Sequence, residues 1–210
     1  MSSIMLNLFN FKTQPYEHQK TCLSKAWDKP TYAFFMEMGT GKTKVAIDNI
    51  GLLRINKKIT GVLILAPKSV YTVWAFDEIK KHMSPDIEYE IYSWNIDKPK
   101  QLKKSFDPKG KLKIFCMNIE ALSTSRGLKG ATEFLYNHPE NLTIVDESTT
   151  IKNHRAIRTR NVIKLADYSK YKRILTGSPV TKSPLDLYTQ CNFLNPNHLG
   201  FSSYFTFRNR

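Results

Sequence analysis

Met36-Glu37-Met38-Gly39-Thr40-Gly41-Lys42-Thr43 lies between a short apolar run over 32–36 and a pattern over 42–55 with Val45, Ala46, Ile50 and Leu53 near helical spacing. Gly39 and Gly41 permit backbone conformations closed to larger residues. Successive N–H groups can then turn inward and cradle phosphate oxygens at a helix N-terminus. In that reading Met38, Gly39, Thr40, Gly41, Lys42 and Thr43 bind nucleotide. Lys42 reaches the β and γ phosphates and the Thr43 hydroxyl ligates Mg²⁺. Met36 stands where the strict pattern has Gly, so the order strand, loop, Gly-Lys-Thr, helix carries the reading. A glycine-rich turn before an ordinary helix is the alternative.

Outward from this loop, strand-like and helix-like segments alternate. Gly61–Ala66 and Leu142–Val145 are unbroken apolar runs, as strands buried on both faces require. Residues 69–82, 154–166 and 185–194 read as helices, 132–137 as a shorter one, and 87–94, 112–117 and 173–175 as further strands. Repeated strand-then-helix order implies crossover connections, so we expect an α/β fold with a central, mostly parallel sheet flanked by helices on both faces. Ligands in such sheets bind at the carboxyl ends of the strands. Leu142-Thr143-Ile144-Val145-Asp146-Glu147 ends one strand in two acids. We assign Asp146 to the metal and Glu147 to the general base that orients the attacking water, because phosphoryl transfer needs positioning and charge neutralisation more than covalent chemistry.

With both motifs placed, the chain resembles the first RecA-like domain of superfamily 2 helicases, especially the Snf2-like DNA translocases. Glu37 to Thr43 is similar to E-M-G-x-G-K-T. Ala66-Pro67-Lys68-Ser69 with Trp74 and Glu78 is similar to A-P-x-S-x-x-x-x-W-x-x-E. Asp146 to Asn153 resembles D-E-A-H-x-I-K-N, and Leu175-Thr176-Gly177-Ser178-Pro179 resembles L-T-G-T-P. The likeness extends from about Pro15 to the last residue. It implies a RecA-like P-loop domain over 1–210 that uses ATP and Mg²⁺, with Lys42, Asp146 and Glu147 catalytic and Thr43 and Asp146 holding the metal. It also implies Gln19 reading the adenine, an amide being able to donate and accept at the base edge. Lys68 and Ser69 are implied on the DNA backbone, and Thr176 and Ser178 in coupling nucleotide state to DNA grip. Trp74 reads as a core residue. Two positions depart from the pattern: Thr149 stands where His is usual, and Lys182 where Asn is common.

Such motors have a second RecA-like domain that supplies an arginine finger, worth ~10³–10⁵ in rate. The chain stops at Arg210, so we expect a fragment of a longer protein, monomeric when isolated, that binds ATP weakly and hydrolyses it poorly. The expected function is that of an ATP-dependent DNA helicase or translocase. The alternatives are a viral packaging-type motor ATPase, and a basic DNA-binding domain that uses nucleotide only as a structural ligand.

The 210 residues carry 32 Lys and Arg against 18 Asp and Glu, a net charge of +14, which suits a polyanionic partner such as DNA. Residues 98–113 hold a net +6 and residues 152–173 a net +7. Two local stripes fit a binding surface better than diffuse charge does, although charge runs are also ordinary solvated faces. No apolar run approaches the ~20 residues of a bilayer span, and MSSIMLNLFNF lacks the basic start of a signal peptide. Cys22, Cys116 and Cys191 are too far apart for a metal pair. We expect an intracellular, cytoplasmic protein with reduced thiols and no membrane partner.

Overall fold

The computed structural model describes residues 6, 8–95, 99–201 and 203–209. Lys98 and Arg210 lie outside the described residues, as does most of the N-terminal segment read above for a signal sequence.

Six strands form one sheet: β1 Thr31–Phe35, β2 Gly61–Ala66, β3 Tyr89–Ser93, β4 Leu112–Asn118, β5 Asn141–Asp146 and β6 Tyr171–Thr176. Their order is β1-β6-β5-β2-β4-β3, and every pairing is parallel. The expected mostly parallel sheet is therefore parallel throughout. The four inner strands are almost wholly buried, which is why β2 and β5 read as continuous apolar runs.

Helices cover both faces: α1 Glu17–Ala26, α2 Lys42–Ile55, α3 over 71–82, α4 Pro99–Lys104, α5 Ser125–Asn137, α6 Ile157–Leu165, α7 Asp186–Leu194 and a short α8 Tyr204–Arg208. They divide the core in two. One cluster joins Leu23, Val45, Ile50, Trp74 and Ile79 to Val62, Ile64 and Ile144. The other joins Phe134, Leu135, Val162 and Phe193 to Leu63, Phe115, Val145 and Ile174.

Helix α6 begins at Ile157, three residues after the expected 154, and two other helices differ from expectation. Helix α5 starts at Ser125, not near 132, capped by Thr124 Oγ1, which accepts from Gly127 N at 3.1 Å. Gly127 and Gly130, weak helix formers, sit in its first turns. They are there for close packing: a Cβ at Gly127 would meet the Ala121 carbonyl oxygen at 2.1 Å, and one at Gly130 the Trp94 ring at 2.8 Å. Helix α3 is interrupted by a π turn, Trp74–Glu78, a feature often found at functional sites.

The second basic stripe is not one surface. Arg173 is fully buried in β6, where its guanidinium donates to Asn49 Oδ1, Pro30 O, Lys172 O and Ala26 O, all at 2.9–3.2 Å. Five donors in a fixed fork let Arg satisfy several carbonyls at once. It fastens β6 to α1 and α2, facing neither solvent nor ligand. Lys170 pairs with Glu140, and Lys172 is half-buried. Both sit at the start of β6, at the opposite end of the sheet from the strand carboxyl termini. In the first stripe Lys113 is buried against Glu90 at 2.7 Å and Lys111 lies 3.7 Å from Glu88.

Candidate active site

The carboxyl ends of β1, β6, β5 and β2 are neighbours, so the segments that follow them meet along one edge of the sheet. A cleft of about 430 Å³ opens there, lined by Met38, Gly39, Gly41, Lys42, Thr43, Lys44, Val70, Glu78, Lys81, His82, Asp146 and Glu147. The loop after β1 and the acidic pair after β5, about 100 residues apart in sequence, thus face the same space.

Gly39 and Gly41 have φ of +78° and +82°, the left-handed conformation that aims successive N–H groups inward. Gln19 is buried against this loop. Its Oε1 accepts from Tyr16 N, and its Nε2 donates to the Thr40 carbonyl, both at 3.0 Å. A Cβ at Gly41 would meet Gln19 Nε2 at 2.3 Å, so the two residues fit only as a pair. The amide thus braces the loop, leaving one N–H and one lone pair for a base edge. Lys42 Nζ donates to the Glu37 carbonyl at 3.2 Å, which holds the ammonium inside the loop's curve. Thr43 opens α2 on the cleft wall.

Asp146 is buried at the end of β5. Its Oδ2 accepts from Trp74 Nε1 at 2.8 Å and its Oδ1 from Glu147 N at 2.9 Å. Burial pushes its carboxyl up, while those two donors and Lys42 pull it back. Glu147 takes the left-handed conformation at φ 45°, one of two non-glycine residues to do so among those described. That conformation costs an L-residue ~1–2 kcal/mol. It turns the carboxylate out of strand direction and into the cleft. Burial and the neighbouring Asp146 raise its carboxyl, and Lys42 opposes them.

The far wall was not legible as a site. Lys44 Nζ contacts Asp48 Oδ2 at 2.5 Å, buried one turn into α2. His82 Nδ1 lies 2.6 Å from Thr13 Oγ1, and its Nε2 lies 3.5 Å from Glu78 Oε2. Trp74 was expected in the core. It is buried there, but its one polar atom reaches the acidic pair, and only the spacing to Ala66-Pro67-Lys68-Ser69 pointed to it.

The remaining expected residues flank the cleft. Lys68 and Ser69 are exposed just past β2, next to Val70 on the cleft wall. Thr176 ends β6 buried; its carbonyl accepts from Met36 N at 3.3 Å and its Oγ1 from Ser178 N at 3.2 Å. A Cβ at Gly177 would meet Met38 Cγ at 3.2 Å, so this segment packs on the phosphate loop itself. Ser178 is exposed.

The residues present fit a metal-bound triphosphate. Three lysines, Lys42, Lys44 and Lys81, line the same cleft as three carboxylates, Glu78, Asp146 and Glu147. No group of three or more His, Cys, Asp or Glu able to hold a metal occurs among the described residues. A metal here would take Asp146, Thr43, water and phosphate oxygens, the way Mg²⁺ is ordinarily shared between protein and substrate.

A family model described as the SNF2-related domain matches residues 22–210. The chain belongs to the SNF2-related domain family. Relatives include the probable ATP-dependent DNA helicase CHR12 of Arabidopsis thaliana, 29% identical over 163 residues, covering 77% of this chain and 14% of that protein. The ISWI chromatin-remodeling complex ATPase ISW2 of Saccharomyces cerevisiae is 26% identical over 170 residues, covering 80% and 14%. In fold the chain is similar to the Sulfolobus solfataricus SWI2/SNF2 ATPase core in complex with dsDNA. The TM-score is 0.74 with 24% identity over 96% of this chain and 39% of that one. The SNF2-related chain thus spans a minor part of the relatives it matches. Membership supports the helicase-type ATPase reading over the packaging-motor alternative. Among the described residues no helix is long and apolar enough to cross a membrane.

Proposed function

We propose that this SNF2-related domain is the first of two RecA-like domains of a DNA translocase or helicase, and that it binds ATP and Mg²⁺ in the cleft between the phosphate loop and the acidic pair. The observation that carries the reading is the convergence of Gly39, Gly41, Lys42, Thr43, Asp146 and Glu147 on one cleft.

In this reading the N–H groups of residues 39–43 cradle the phosphates, and Lys42 leaves the Glu37 carbonyl for the γ-phosphate. Asp146 and Thr43 would hold Mg²⁺, which when bound neutralises charge on the β and γ phosphates. Glu147 orients the attacking water and accepts its proton, its carboxyl raised by burial toward the working pH. Gln19 contacts the adenine with what remains of its amide. Lys68 and Ser69 take the DNA backbone beside the cleft, while Thr176 and Ser178 carry the nucleotide state toward it. Free Cys22, Cys116 and Cys191 suit a reducing intracellular compartment. The second domain would complete the site, so the isolated domain turns over slowly.

Calorimetric titration of the 210-residue chain with ATP in Mg²⁺ tests the reading. Saturable binding that Lys42→Ala removes supports it. Binding unchanged by Lys42→Ala, or none at millimolar ATP, overturns it.

A further inference from the structure

The acidic segment and the Leu175–Pro179 segment end neighbouring strands, and a single buried amide joins their far sides. Gln190 lies on α7 with no exposed surface. Ser148 Oγ donates to Gln190 Oε1 at 2.6 Å. Gln190 Nε2 donates to the Pro179 carbonyl at 2.8 Å and to the Asp186 carbonyl at 2.7 Å. Ser148 directly follows Glu147, and Pro179 directly follows Ser178. One side chain thus holds the residue beside each functional group.

The chemistry fixes its orientation. An amide has one face of donors and one of acceptors, and here two carbonyls meet the donors while a hydroxyl meets the acceptor. A buried network with every member satisfied is stiff and high-stakes, because a lost partner leaves polar groups stranded. Ser148 and Thr149 stand where the resembled pattern has Ala and His. The hydroxyl that reaches Gln190 is therefore one that pattern lacks, beside a position where its usual imidazole is missing. A second route, Lys152 Nζ to Thr181 Oγ1 at 2.5 Å and on to Asp186 at 2.8 Å, is exposed. Exposed polar links carry little.

We propose that Gln190 is a positioning residue that couples the acidic pair to the Thr176–Ser178 segment through Ser148 and Pro179. This rests on the cleft being the ATP site and on DNA binding beside it.

The test measures linkage in the 210-residue chain. The Kd for a fluorescein-labelled DNA duplex is read by anisotropy without nucleotide and with a saturating, slowly hydrolysed ATP analogue plus Mg²⁺. The ratio is the coupling factor, and wild type should give about 5-fold or more, the low end of typical allosteric coupling. Ser148→Ala with Gln190→Leu removes the hydroxyl and the amide together, so neither strands the other, and costs the Pro179 carbonyl its buried donor. It should bring the factor to about one while each ligand alone binds within about twofold of wild type. Gln190→Met, which keeps the length without the amide, gives the same readout if the double variant does not fold. A factor retained in a folded variant overturns the proposal, as does a wild-type factor of one. Absence of nucleotide binding in wild type is a different result: it removes the site reading beneath.

Discussion

The indole Nε1 of Trp74 donates to Asp146 Oδ2 at 2.8 Å. The bond ties a helix that begins just past Lys68 and Ser69 to the carboxylate assigned to the metal. With Glu147 N on the other oxygen, it holds the Asp146 carboxylate by both ends. Trp74→Phe keeps most of the ring's packing and removes the donor. Outer partners of metal ligands typically matter by about 10–100-fold. We expect the Mg²⁺ concentration for half-maximal ATP binding to rise by about that factor, with metal-free nucleotide binding unchanged. An unaltered Mg²⁺ titration would show that Trp74 is core alone.

Glu147 combines a chemical role with a strained backbone. Glu147→Gln should lower ATP hydrolysis by ~10²–10⁴ while sparing binding, the usual contribution of a general base. Glu147→Gly removes the carboxylate too, yet relieves the left-handed conformation at φ 45°. It should be more stable to denaturant than Glu147→Gln by roughly 1 kcal/mol, read as a higher midpoint. Equal midpoints would mean that the strain is absorbed elsewhere.

The two sides of the site differed in how legible they were. The phosphate loop and acidic pair were readable because glycines, Gly-Lys-Thr and a strand-ending acid pair occupy contiguous positions whose chemistry is local. The parallel sheet was readable because buried strands such as Gly61–Ala66 are continuously apolar. Trp74 and Gln190 were not, since each acts through a contact between distant segments: Trp74 and Asp146 are 72 positions apart, and Ser148 and Gln190 are 42. The basic stripe misled for the same reason. Arg173 counts as charge in a sequence, but its partners, Asn49 and the Ala26 and Pro30 carbonyls, come from distant segments.

Gly41 and Gln19 should fail together. Gly41→Ala forces a Cβ to 2.3 Å from Gln19 Nε2 and places an L-side chain at φ +82°. The Gln19 amide must leave the Thr40 carbonyl, loosening the loop it braces. Nucleotide affinity should drop at least tenfold, and adding Gln19→Ala should recover part of it by vacating the space. A double variant no better than the single would show that backbone strain and the lost adenine contact outweigh the relieved clash.

Asp48 gives a pH signature. Burial pushes its carboxyl up to about 6 against the pull of Lys44. Its folded value lies above the unfolded one, so between about 4 and 6 the folded state binds the extra proton. The stability it contributes is full below about 4 and is lost as pH rises through about 6. Asp146 and Glu147 are shifted the same way, while buried His82 and His138, pushed down, act oppositely. The difference between wild type and Asp48→Asn isolates the group. Melting temperatures should show wild type losing ground to Asp48→Asn from pH 4 to 6 and no further change to pH 7. A difference flat across that range would place the Asp48 carboxyl at its ordinary value.

The charge itself can be divided by salt. Helix α6 returns from the strand carboxyl ends toward the start of β6, so Arg155 and Arg158 lie toward the cleft edge and Lys170 lies at the opposite end. Arg158 Nε donates to the Thr150 carbonyl at 3.1 Å, which holds its guanidinium beside the acidic segment; Arg155 is exposed. Each neutralised phosphate lowers log K by ~0.9 per log unit of salt on duplex DNA. Arg155→Ala should reduce the slope of DNA binding by about one such unit. Lys170→Ala, which breaks an exposed pair with Glu140 and a contact over the Tyr171 ring, should leave it unchanged. Equal losses from both would mean that DNA is held by diffuse charge, with no preference for the edge where the nucleotide cleft lies.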